Sequence, residues 1–556
     1  MKLSGSDIVV RTLVEQGVDV VFGYPGGTVI DIYDSLYKYS DELRHVLVAH
    51  EQGAAHAADG YARATGRPGV CIATSGPGAT NLVTGIATSF LDSTPLVAIT
   101  GNVPWSQIGT DSFQEIDITG ITLPVTKHNY FIGDVRDIAP TLREAFRLAR
   151  SGRPGPVLVD IAKDAQRATC DFEPLEAPVE PDPVAPYEGD LLPEVAMCIN
   201  KSSRPYVYCG GGTIASGAEE QVARLADVID APIATSLMGV SAISSDNPRL
   251  LGMEGMHGHY AATKAMAAAD CIIALGVRFN DRSTGDRHSF AQGTRIVHID
   301  IDESELSKNI PDTYDLKGDL ALTLDRLIPL LEETTHPDWD ATIASLREEE
   351  RACEDAREGL TPASIMRELD RRLTPDVPVV TDVGQHQMWA SQMLTFRRPR
   401  SFITSGGLGT MGFGLGAAIG ASLGTHDRVV LVIGDGGFGM CMTELATAVT
   451  NRVPVTILLL NNGVLGMVRQ QQRFICDGRY SNTDLDRRTD FVAVARGFGA
   501  EAERVSSVEE LGRALGRALA AEGPYLVECP IDKDELVLPM MLPGGTLDNL
   551  ITRGDE

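Results

Sequence analysis

Residues 429–440 read VVLVIGDGGFGM: five apolar residues lead into a turn formed by Gly434, Asp435, Gly436 and Gly437. An unbroken apolar run of this kind is typical of a parallel strand that is buried on both faces. The glycines allow a ligand to approach the main chain closely, and open α/β sheets bind ligands at the carboxyl ends of their strands. The stretch therefore predicts an α/β fold in which a buried strand presents Asp435 to a ligand.

A second apolar run, PVTILLLNN at residues 454–462, ends in Asn461 and Asn462. Its separation from the first run fits one β-α-β crossover, so both strand ends should present their polar side chains to the same point. Mg²⁺ takes oxygen ligands and shares them between protein, phosphate and water. We therefore predict a magnesium ion held on a diphosphate by Asp435, Asn462 and the backbone carbonyl of Val464. The Gly-Asp-Gly turn and the Asn pair are each common structural features when they occur alone. Their spacing on two buried strands favours a metal-binding site.

The rhythm of short apolar strand, Gly-rich turn and amphipathic helix occurs in three segments, which predicts three doubly wound α/β domains with parallel sheets. We expect these domains at residues 1–165, 191–335 and 360–530. Residues 166–190 are rich in Pro and Glu and should form an extended linker. Residues 531–556 form a tail that is expected to pack near the active site.

The composition excludes several classes of partner. The chain has 556 residues, with 48 Lys and Arg against 76 Asp and Glu, and a formal net charge of −28. This balance argues against nucleic acid and anionic membranes, which favour basic patches. Nine scattered cysteines without a C-x-x-C pair indicate reduced thiols. Residues 1–18 predict an amphipathic helix and not a secretion signal. The sequence contains no run of about 18 apolar residues, so no membrane-spanning helix is expected. The expected location is the cytoplasm.

Longer stretches resemble the thiamine diphosphate (ThDP) dependent decarboxylase superfamily, and within it the catalytic subunits of acetolactate (acetohydroxyacid) synthase. The matching stretches are HEQGAAHAADGYARATG, ATSGPGATNL, IGTDSFQE, GRPGPVLVDI, GMHGHYA, GVRFNDRSTG, TDVGQHQMWA, SGGLGTMGFG and LLLNNGVLGMVRQ. They span nearly the whole chain in order. The resemblance implies a pyrimidine-binding domain, a central FAD-type domain and a diphosphate-binding domain. The charged residues around 346–359 predict a helix before the third domain.

The resemblance also implies the catalytic groups. Glu51, in the motif HEQG, would donate a hydrogen bond to N1′ of the aminopyrimidine, whose 4′-nitrogen then takes the C2 proton. Such a carboxyl should be partly desolvated, with a raised pKa; taken alone, a Glu at a helix start would be explained by the helix dipole. Phe113 and Gln114 match side chains that face the thiazolium from the partner subunit. The resemblance thus implies a homodimer with active sites between its chains, and tetramers are common in the family.

Further positions match residues that surround the diphosphate. Met411 corresponds to the apolar residue that bends the cofactor, although a Met is otherwise most often core filler. The positions implied for ThDP and its Mg²⁺ are Val383, Gly384, Gln385, His386, Gly409, Met411, Gly434, Asp435, Gly436, Gly437, Asn462, Val464, Leu465, Gly466 and Met467.

Relatives of the biosynthetic type carry an FAD that has no redox duty, and the central domain matches its contacts. The implied positions are Ser93, Gly211, Gly212, Ser236, Leu237, Met256, His257, Gly258, Gly276, Arg278, Asp281, Asp300 and Ile301. Two features depart from the family: Asn280 stands where Asp is usual, and the linker offers no clear basic contact. A catabolic, FAD-independent acetolactate synthase is therefore a competing interpretation, which the GVRF-x-DR stretch disfavours.

The helix after the Asn pair should shape the choice of acceptor. Met467 and Gln471 are four residues apart and share one face of the helix. Many relatives have Trp at the Gln471 position, and an indole would favour an ethyl over a methyl acceptor by about 0.8 kcal/mol or more. Arg282 would bind the acceptor carboxylate in bidentate fashion; an interdomain salt bridge would be its purely structural role.

The resemblance therefore implies decarboxylation of pyruvate and transfer of its hydroxyethyl unit to a second 2-keto acid, mainly pyruvate. The products are 2-acetolactate and CO₂, in the first common step of branched-chain amino acid biosynthesis. A pyruvate oxidase or a sulfoacetaldehyde acetyltransferase would share this architecture, but the GMVRQ helix and the PMMLPGGTLDNLI tail disfavour both. The combination of Glu51, Asp435 and Asn462 disfavours an inactive scaffold. The sequence leaves open whether a small regulatory subunit binds.

Overall fold

The computed structural model describes residues 1–353, 357–485 and 488–553. The N-terminal domain contains β1 (Lys2–Ser4), α1 (Gly5–Glu15), β2 (Val20–Tyr24), α2 (Ile30–Lys38), β3 (Arg44–Leu47), α3 (Glu51–Thr65), β4 (Gly69–Ala73), α4 (Pro77–Leu91), β5 (Leu96–Asn102), α5 (Ile118–Thr122), β6 (His128–Ile132), α6 (Ile138–Arg150), β7 (Pro156–Ala162), α7 (Lys163–Arg167) and β8 (Thr169–Asp171). Its six-stranded parallel sheet has the order β3-β2-β4-β5-β7-β6.

The central domain contains α8 (Leu192–Asn200), β9 (Pro205–Cys209), α9 (Gly211–Ser216), α10 (Glu219–Val228), β10 (Ile233–Thr235), β11 (Leu250–Met253), α11 (Tyr260–Ala268), β12 (Cys271–Leu275), α12 (Asp281–Thr284), β13 (Arg295–Asp300), β14 (Tyr314–Lys317), α13 (Leu320–Leu327) and α14 (Pro337–Ala352). Its parallel sheet has the order β11-β10-β9-β12-β13-β14. The charged helix expected around residues 346–359 is present only up to Ala352, where α14 ends. Residues 357–359 are not helical, and residues 354–356 lie outside the described residues.

The C-terminal domain contains α15 (Pro362–Asp370), β15 (Val379–Thr381), α16 (Gln385–Met393), β16 (Phe402–Ile403), α17 (Gly414–Thr425), β17 (Val429–Gly434), α18 (Asp435–Cys441), α19 (Leu445–Thr450), β18 (Val455–Asn461), α20 (Gly466–Ile475), α21 (Phe491–Phe498), β19 (Glu501–Arg504), α22 (Val508–Ala520) and β20 (Tyr525–Pro530). Its parallel sheet has the order β16-β15-β17-β18-β20-β19. In the tail, β21 (Met540–Met541) pairs with β22 (Leu550–Ile551).

The predicted fold class is confirmed, because each of the three sheets is parallel and is covered by helices. The run at residues 429–433 shows how the apolar strands achieve this. Val430 and Val432 of β17 point into the buried cluster on one face of the sheet, and Leu431 and Ile433 point into the cluster on the other face. Successive side chains of a strand alternate between faces, so a strand covered on both sides needs every residue to be apolar.

The linker begins later than the sequence predicted. Residues 163–167 form α7, and β8 pairs in antiparallel fashion with β1, bringing Lys2 opposite Asp171. Phe172 is then buried in the core of the N-terminal domain. The strands β1 and β8 form a small two-stranded sheet of their own, in which each satisfies backbone groups of the other. Only the chain after Phe172 runs as a tether without helix or strand up to α8. Within the described ranges, no helix is long and apolar enough to cross a membrane.

The N-terminal and C-terminal domains of one chain are joined by α3 and α17, which pack with their backbones in close contact. A methyl group on Gly60 would overlap the backbone of Ala417, and a methyl group on Gly420 would overlap the carbonyl oxygen of Ala57. Arg63 of α3 adds a buried bond, because its Nη1 donates to the carbonyl oxygen of Thr404 at 2.8 Å. Glycine is therefore required at these crossings for the two helices to approach.

We predict that Gly420→Ala destabilises the protein by about 1–3 kcal/mol, because the new methyl group must push apart two helices that have no room to separate. Its matched control is Gly497→Ala on α21, where the space around the glycine is open. This control should be neutral, or stabilising by up to about 1 kcal/mol. Thermal denaturation checks both variants, and a Gly420→Ala protein that melts at or above the wild-type temperature would contradict the packing described here.

Candidate functional site

A cavity of about 220 Å³ lies at the carboxyl ends of β15, β17 and β18. All the positions that the sequence implied for the diphosphate and the metal, from Val383 to Met467, line this cavity. The sequence missed other lining residues, namely Gln387, Trp389, Leu460, Val468 and Ile531. The neighbouring parallel strands β17 and β18 bring the two ends together, because Gly434 pairs with Leu460 in register.

Asp435 and Asn462 occupy adjacent strand ends, as their spacing predicted. Asp435 is the first residue of α18 and is 3% exposed. The Oδ1 atom of Asn462 accepts a hydrogen bond from the backbone N–H of Val464 at 3.2 Å. Among the described residues, no group of three His, Cys, Asp or Glu side chains could hold a metal. The donors here are instead a carboxylate, an amide oxygen and a backbone carbonyl, a set suited to Mg²⁺ that takes its other ligands from a phosphate.

The remaining wall of this cavity suits an anionic group. Nε2 of the buried His386 has no hydrogen-bond partner among the described residues, and burial lowers the pKa of this side chain to about 4. The imidazole is therefore neutral at pH 7 and can donate a hydrogen bond from one ring nitrogen. The first backbone N–H groups of α18 have no partner within the helix and also face its N-terminal end. An unsatisfied buried nitrogen next to such amides fits a diphosphate.

Asp382, which the sequence reasoning did not single out, holds the loop that carries Met411. Its carboxylate accepts hydrogen bonds from the backbone N–H groups of Gly412 at 2.9 Å and Gly414 at 2.8 Å. Burial raises the pKa of Asp382 to about 6, and these backbone donors act in the opposite direction. The only sequence signal was an Asp at the end of an apolar strand, directly before Val383.

The C-terminal tail lies against this cavity. Gln385 donates a hydrogen bond from Nε2 to the carbonyl oxygen of Glu535 at 2.7 Å. Gln470 of α20 exchanges two hydrogen bonds with the backbone of Val537, at 2.9 and 2.8 Å. The tail then reaches the central domain, where the N–H of Met541 donates to the carbonyl oxygen of Met256 at 2.8 Å. The tail thus ties the central domain to the C-terminal domain beside the site.

A second cavity of about 510 Å³ lies between the central and C-terminal domains. Several positions implied for FAD line it, namely Gly211, Ser236, Leu237, Met256, His257, Gly276, Arg278 and Asp281, together with the implied acceptor residues Arg282, Met467 and Gln471. This central cavity shares Val383, Gln387, Gly409 and Met467 with the first one. The two cavities therefore adjoin along a common wall.

Five positions implied for FAD are not among the residues that line this cavity: Ser93, Gly212, Gly258, Asp300 and Ile301. Gly212 instead packs on the backbone of Gly276, and Gly258 packs on the backbone before it. Ser93 accepts a hydrogen bond from Nε of Arg153 at 2.8 Å. Asp300 accepts one from the backbone N–H of Asp302 at 2.9 Å, and burial raises its pKa to about 6.

Arg282 lies on the short helix α12 and faces the central cavity. Its guanidinium lies 3.8 Å from the carboxylate of Asp281, and its side chain is 58% exposed. The described residues give it no interdomain ion pair, so a salt-bridge role finds no support. Asn280, the departure from the family pattern, caps α12 by accepting hydrogen bonds from the N–H groups of Arg282 and Ser283. Asn and Asp are equally good at this position of a helix.

Glu51 begins α3 and is half-buried, and its Oε2 accepts a hydrogen bond from Asn81 at 3.0 Å. The residues that precede it are held by the C-terminal domain, because Glu444 accepts hydrogen bonds from the N–H groups of Ala49 at 3.2 Å and His50 at 3.0 Å. Burial raises the pKa of Glu444. The sequence reasoning missed this residue, since nothing local shows that a Glu after α18 reaches another domain.

Glu51 lines neither cavity of its own chain. Phe113 and Gln114 are likewise absent from both walls, and Phe113 is 86% exposed. Backbone atoms of Gln114 lie close to Gly76, next to the start of α4. Within one chain, Glu51, which is implied to activate the cofactor, is therefore not part of the cavity that is implied to hold the cofactor's diphosphate.

Comparison with known proteins identifies the family of each domain. Three families of thiamine pyrophosphate enzyme domains match the chain: the N-terminal TPP binding domain at residues 3–121, the central domain at residues 192–327 and the C-terminal TPP binding domain at residues 382–529.

Curated proteins match over nearly the full length. The chain is 43% identical to the acetolactate synthase isozyme 2 large subunit of Escherichia coli, over 99% of this chain and 100% of that protein. It is 43% identical to the acetolactate synthase large subunit of Corynebacterium glutamicum, over 98% of this chain and 89% of that protein. It is 42% identical to the probable acetolactate synthase large subunit of Methanocaldococcus jannaschii, over 99% of this chain and 95% of that protein. The chain therefore belongs to the family of acetolactate synthase large subunits, which are thiamine pyrophosphate enzymes.

Proposed function

We propose that the protein joins two molecules of pyruvate into 2-acetolactate with release of one CO₂, using ThDP and Mg²⁺. The observation that carries this proposal is the common wall of the two cavities. Met467 lines both the cavity suited to a metal diphosphate and the central cavity, which also contains Arg282 and Gln471. A cofactor and a keto-acid acceptor can therefore meet there. The relatives named above are acetolactate synthases, which favours this activity over a pyruvate oxidase or a sulfoacetaldehyde acetyltransferase.

Each group of residues has a distinct task in this proposal. When bound, ThDP supplies a thiazolium carbon that decarboxylates a 2-keto acid and carries the remaining two-carbon unit to an acceptor. Asp435, Asn462 and Val464 hold Mg²⁺ and, through it, the diphosphate. His386 and the N-terminal amides of α18 offer hydrogen bonds to the remaining phosphate oxygens. Met411 is held in place by the loop that Asp382 fixes, and it supports the cofactor from below.

Glu51 acts on the aminopyrimidine from the other chain of a homodimer. Two features support this assignment: Glu51 lines neither cavity of its own chain, and Phe113 exposes a large apolar ring. Because one chain cannot bring Glu51 to its own Asp435 cavity, two copies related by a two-fold axis build two equivalent sites. Phe113 and Gln114 then cover the cofactor of the partner.

Arg282 binds the carboxylate of the acceptor, and Gln471 leaves the acceptor's alkyl group without the apolar contact that an indole would give. Arg282 lines the cavity; its guanidinium contacts the sulfur of Met256 at 3.6 Å, and its one ion pair among the described residues is with the neighbouring Asp281. Gln471 lies one turn after Met467 on α20 and lines the same cavity. Without an indole at this position, an ethyl group gains little over a methyl group, so pyruvate is the main acceptor.

FAD is proposed to occupy the central cavity without a redox task. The wall of Gly211, Ser236, Met256 and Arg278 supports this assignment. Burial lowers the pKa of Arg278, because this guanidinium is partly withdrawn from water, and an anionic nucleotide would offset that cost. We also propose that Ser93, Gly212, Gly258, Asp300 and Ile301, which do not line the cavity, take part in binding FAD.

We further propose that the enzyme works in the cytoplasm and binds a smaller partner subunit. All nine cysteines lie in the part of the chain that the structure describes, and all are free, which suits a reducing compartment. Several relatives are called large subunits, which implies a second, smaller subunit for this chain as well. Whether the dimer doubles to a tetramer can be read from its mass in solution.

We predict that purified protein converts pyruvate into a product that yields acetoin only after acidification, and that ThDP and Mg²⁺ are both required. Removal of Mg²⁺ with a chelator should abolish turnover, and added Mg²⁺ should restore it. Asp435→Asn should lower turnover about a hundredfold or more, because it removes the only carboxylate at the metal. Asp477→Asn, at an exposed carboxylate paired with Arg479, should leave it unchanged. Production of acetate or acetyl phosphate with oxygen uptake would overturn the proposal.

We predict that Gln471→Trp shifts the product ratio towards 2-ketobutyrate as acceptor by about fourfold or more, the equivalent of one buried methylene group. The measurement is a competition between pyruvate and 2-ketobutyrate, with both acetohydroxy acids quantified. Ile475→Trp on the same helix is the control, since Ile475 is 54% exposed and lines neither cavity. An unchanged ratio in Gln471→Trp would remove the acceptor role of this position.

We predict that Glu444→Ala lowers turnover roughly tenfold to a hundredfold, because the N–H groups of Ala49 and His50 lose their acceptor and Glu51 loses its fixed position. The rate of C2 proton exchange in bound ThDP should fall in parallel, while the affinity for Mg²⁺ and ThDP stays within about threefold of wild type. Thr447→Val is the control, because it removes only the hydrogen bond from Thr447 to Glu444 at 2.6 Å. Wild-type proton exchange in Glu444→Ala would show that Glu444 is structural alone.

A further inference from the structure

Glu254 is a buried acid without a partner in the wall of the central cavity. It follows β11 directly, its exposure is 3%, and it lines the cavity. Neither of its carboxyl oxygens has a hydrogen-bond partner among the described residues. Burying such a group without a partner costs several kcal/mol in an apolar surrounding, and native proteins rarely leave it so. An unsatisfied carboxyl in a cavity wall therefore indicates that a ligand satisfies it.

The backbone fixes where this side chain points. The N–H of Glu254 donates to the carbonyl oxygen of Thr235 at 2.8 Å, which continues the pairing of β10 with β11. Gly255 follows with a φ of 122°, and Gly258 packs so closely on the backbone of Glu254 and Gly255 that a methyl group there would overlap it. These contacts hold the backbone of the segment in place, and the side chain is buried in the cavity wall.

The groups around Glu254 do not neutralise it. Tyr206 and Tyr208 of β9 feel its charge, and both of their pKa values are raised, mainly by burial. The hydroxyl of Tyr206 donates to the carbonyl oxygen of Ala262 at 2.8 Å, and that of Tyr208 donates to Ser283 at 2.9 Å. The proton of Tyr206 is therefore engaged elsewhere. The Tyr208 hydroxyl makes its hydrogen bond to Ser283, but it lies close enough to Glu254 to lower the pKa of that carboxyl against the larger, opposite effect of burial.

The other titratable and charged groups in the wall are His257, Arg278, Asp281 and Arg282. Burial lowers the pKa of His257 to about 4, so it is neutral. Arg282 lies against Asp281, and the described residues contain no ion pair between Glu254 and an arginine. With no cation to stabilise its charge, burial raises the pKa of Glu254 to about 8. At neutral pH the group is mainly a carboxylic acid, with one O–H donor and one C=O acceptor side by side.

We propose that Glu254 is a ligand-recognising residue of the central cavity, and that its carboxyl pairs with an edge of a bound flavin nucleotide that carries an acceptor next to a donor. This inference rests on the proposed binding of FAD. The pyrimidine end of the isoalloxazine and the amino edge of the adenine both present such a pair. The acid form matches either edge with two hydrogen bonds, whereas the carboxylate can only accept and would face the ring acceptor without a proton between them.

This pairing makes FAD binding depend on pH in a defined direction. The bound nucleotide holds Glu254 in its protonated form, so binding competes with loss of that proton. Below the pKa of the free acid, near 8, the Kd for FAD is constant. Above it, the Kd rises up to about tenfold for each pH unit. Glu254→Gln keeps one donor and one acceptor but cannot lose a proton, so its Kd should stay flat.

The experiment is a titration of FAD into the flavin-free, full-length enzyme with Mg²⁺ and ThDP present, followed by quenching of flavin fluorescence from about pH 6.5 to about pH 9.5, a range that brackets the titration of the acid. Wild type should show the rise above pH 8, and Glu254→Gln should bind within about threefold of wild type at pH 7 without that rise. Glu254→Leu should bind roughly tenfold more weakly at pH 7, because two hydrogen bonds are lost. Before FAD is added, this variant should melt at or above the wild-type temperature, since it removes an unpaired buried acid.

The absorption spectrum of bound FAD separates the two edges. If the isoalloxazine pairs with Glu254, the visible band of the flavin shifts between wild type and Glu254→Leu; if the adenine pairs with it, the band stays while the Kd still rises. Suppose that wild type binds FAD with a Kd that does not change with pH, and that folded Glu254→Leu binds it with the same Kd. This result overturns the inference about Glu254 but not the proposal that FAD binds. Wild type that binds no FAD at any pH overturns the FAD proposal, and this inference with it.

Discussion

The backbone contact between α3 and α17 is the constraint on which the rest of the molecule depends. Gly60 and Gly420 permit the two helices to touch along their main chains, and Glu444 adds hydrogen bonds from the C-terminal domain to the segment before Glu51. One chain is thereby locked into a single arrangement of its N-terminal and C-terminal domains. In that arrangement Glu51 lines neither cavity of its own chain, which is the observation behind the proposed homodimer.

Three of the buried acids among the described residues differ in how their carboxyl groups are satisfied. Asp382 accepts backbone N–H groups and fixes the loop of Met411. Glu444 does the same across a domain boundary and fixes the start of α3. Glu254 has no such donors within the described residues. A buried acid that accepts hydrogen bonds from the backbone has a structural role. A buried acid without such donors beside a cavity can still form hydrogen bonds with a ligand.

The strands that form the middle of each sheet could be predicted from the sequence, because burial on both faces leaves a continuous apolar run such as residues 429–433. The edge strands could not. In the third sheet, the edge strand β19 reads EAER, and the edge strand β16 on the other side has only two residues. An edge strand is covered on fewer sides and needs polar residues or short length to avoid pairing with other chains, so its apolar signal is weak.

The residues of the candidate site also fall into two groups, those that the sequence predicted and those that it did not. Asp435 and Asn462 were predictable because each directly follows a buried strand, and the crossover places both at one edge. Most implied contacts of the diphosphate belong to unbroken motifs for the same reason. Asp382, Glu444 and Glu254 were missed because their importance arises from contacts between segments far apart in the chain. The late start of the linker was missed as well, since β8 depends on its pairing with β1, at the opposite end of the N-terminal domain's sequence.

The most direct test of this account is a complementation experiment between two inactive chains, Glu51→Gln and Asp435→Asn, carrying different tags and produced together. About half of the dimers then contain one chain of each kind. If each site takes Glu51 from one chain and Asp435 from the other, every mixed dimer has one intact site, and the mixture recovers about a quarter of wild-type turnover. If each site lay within one chain, no mixed dimer would have an intact site, and turnover would remain at the level of the two separate variants.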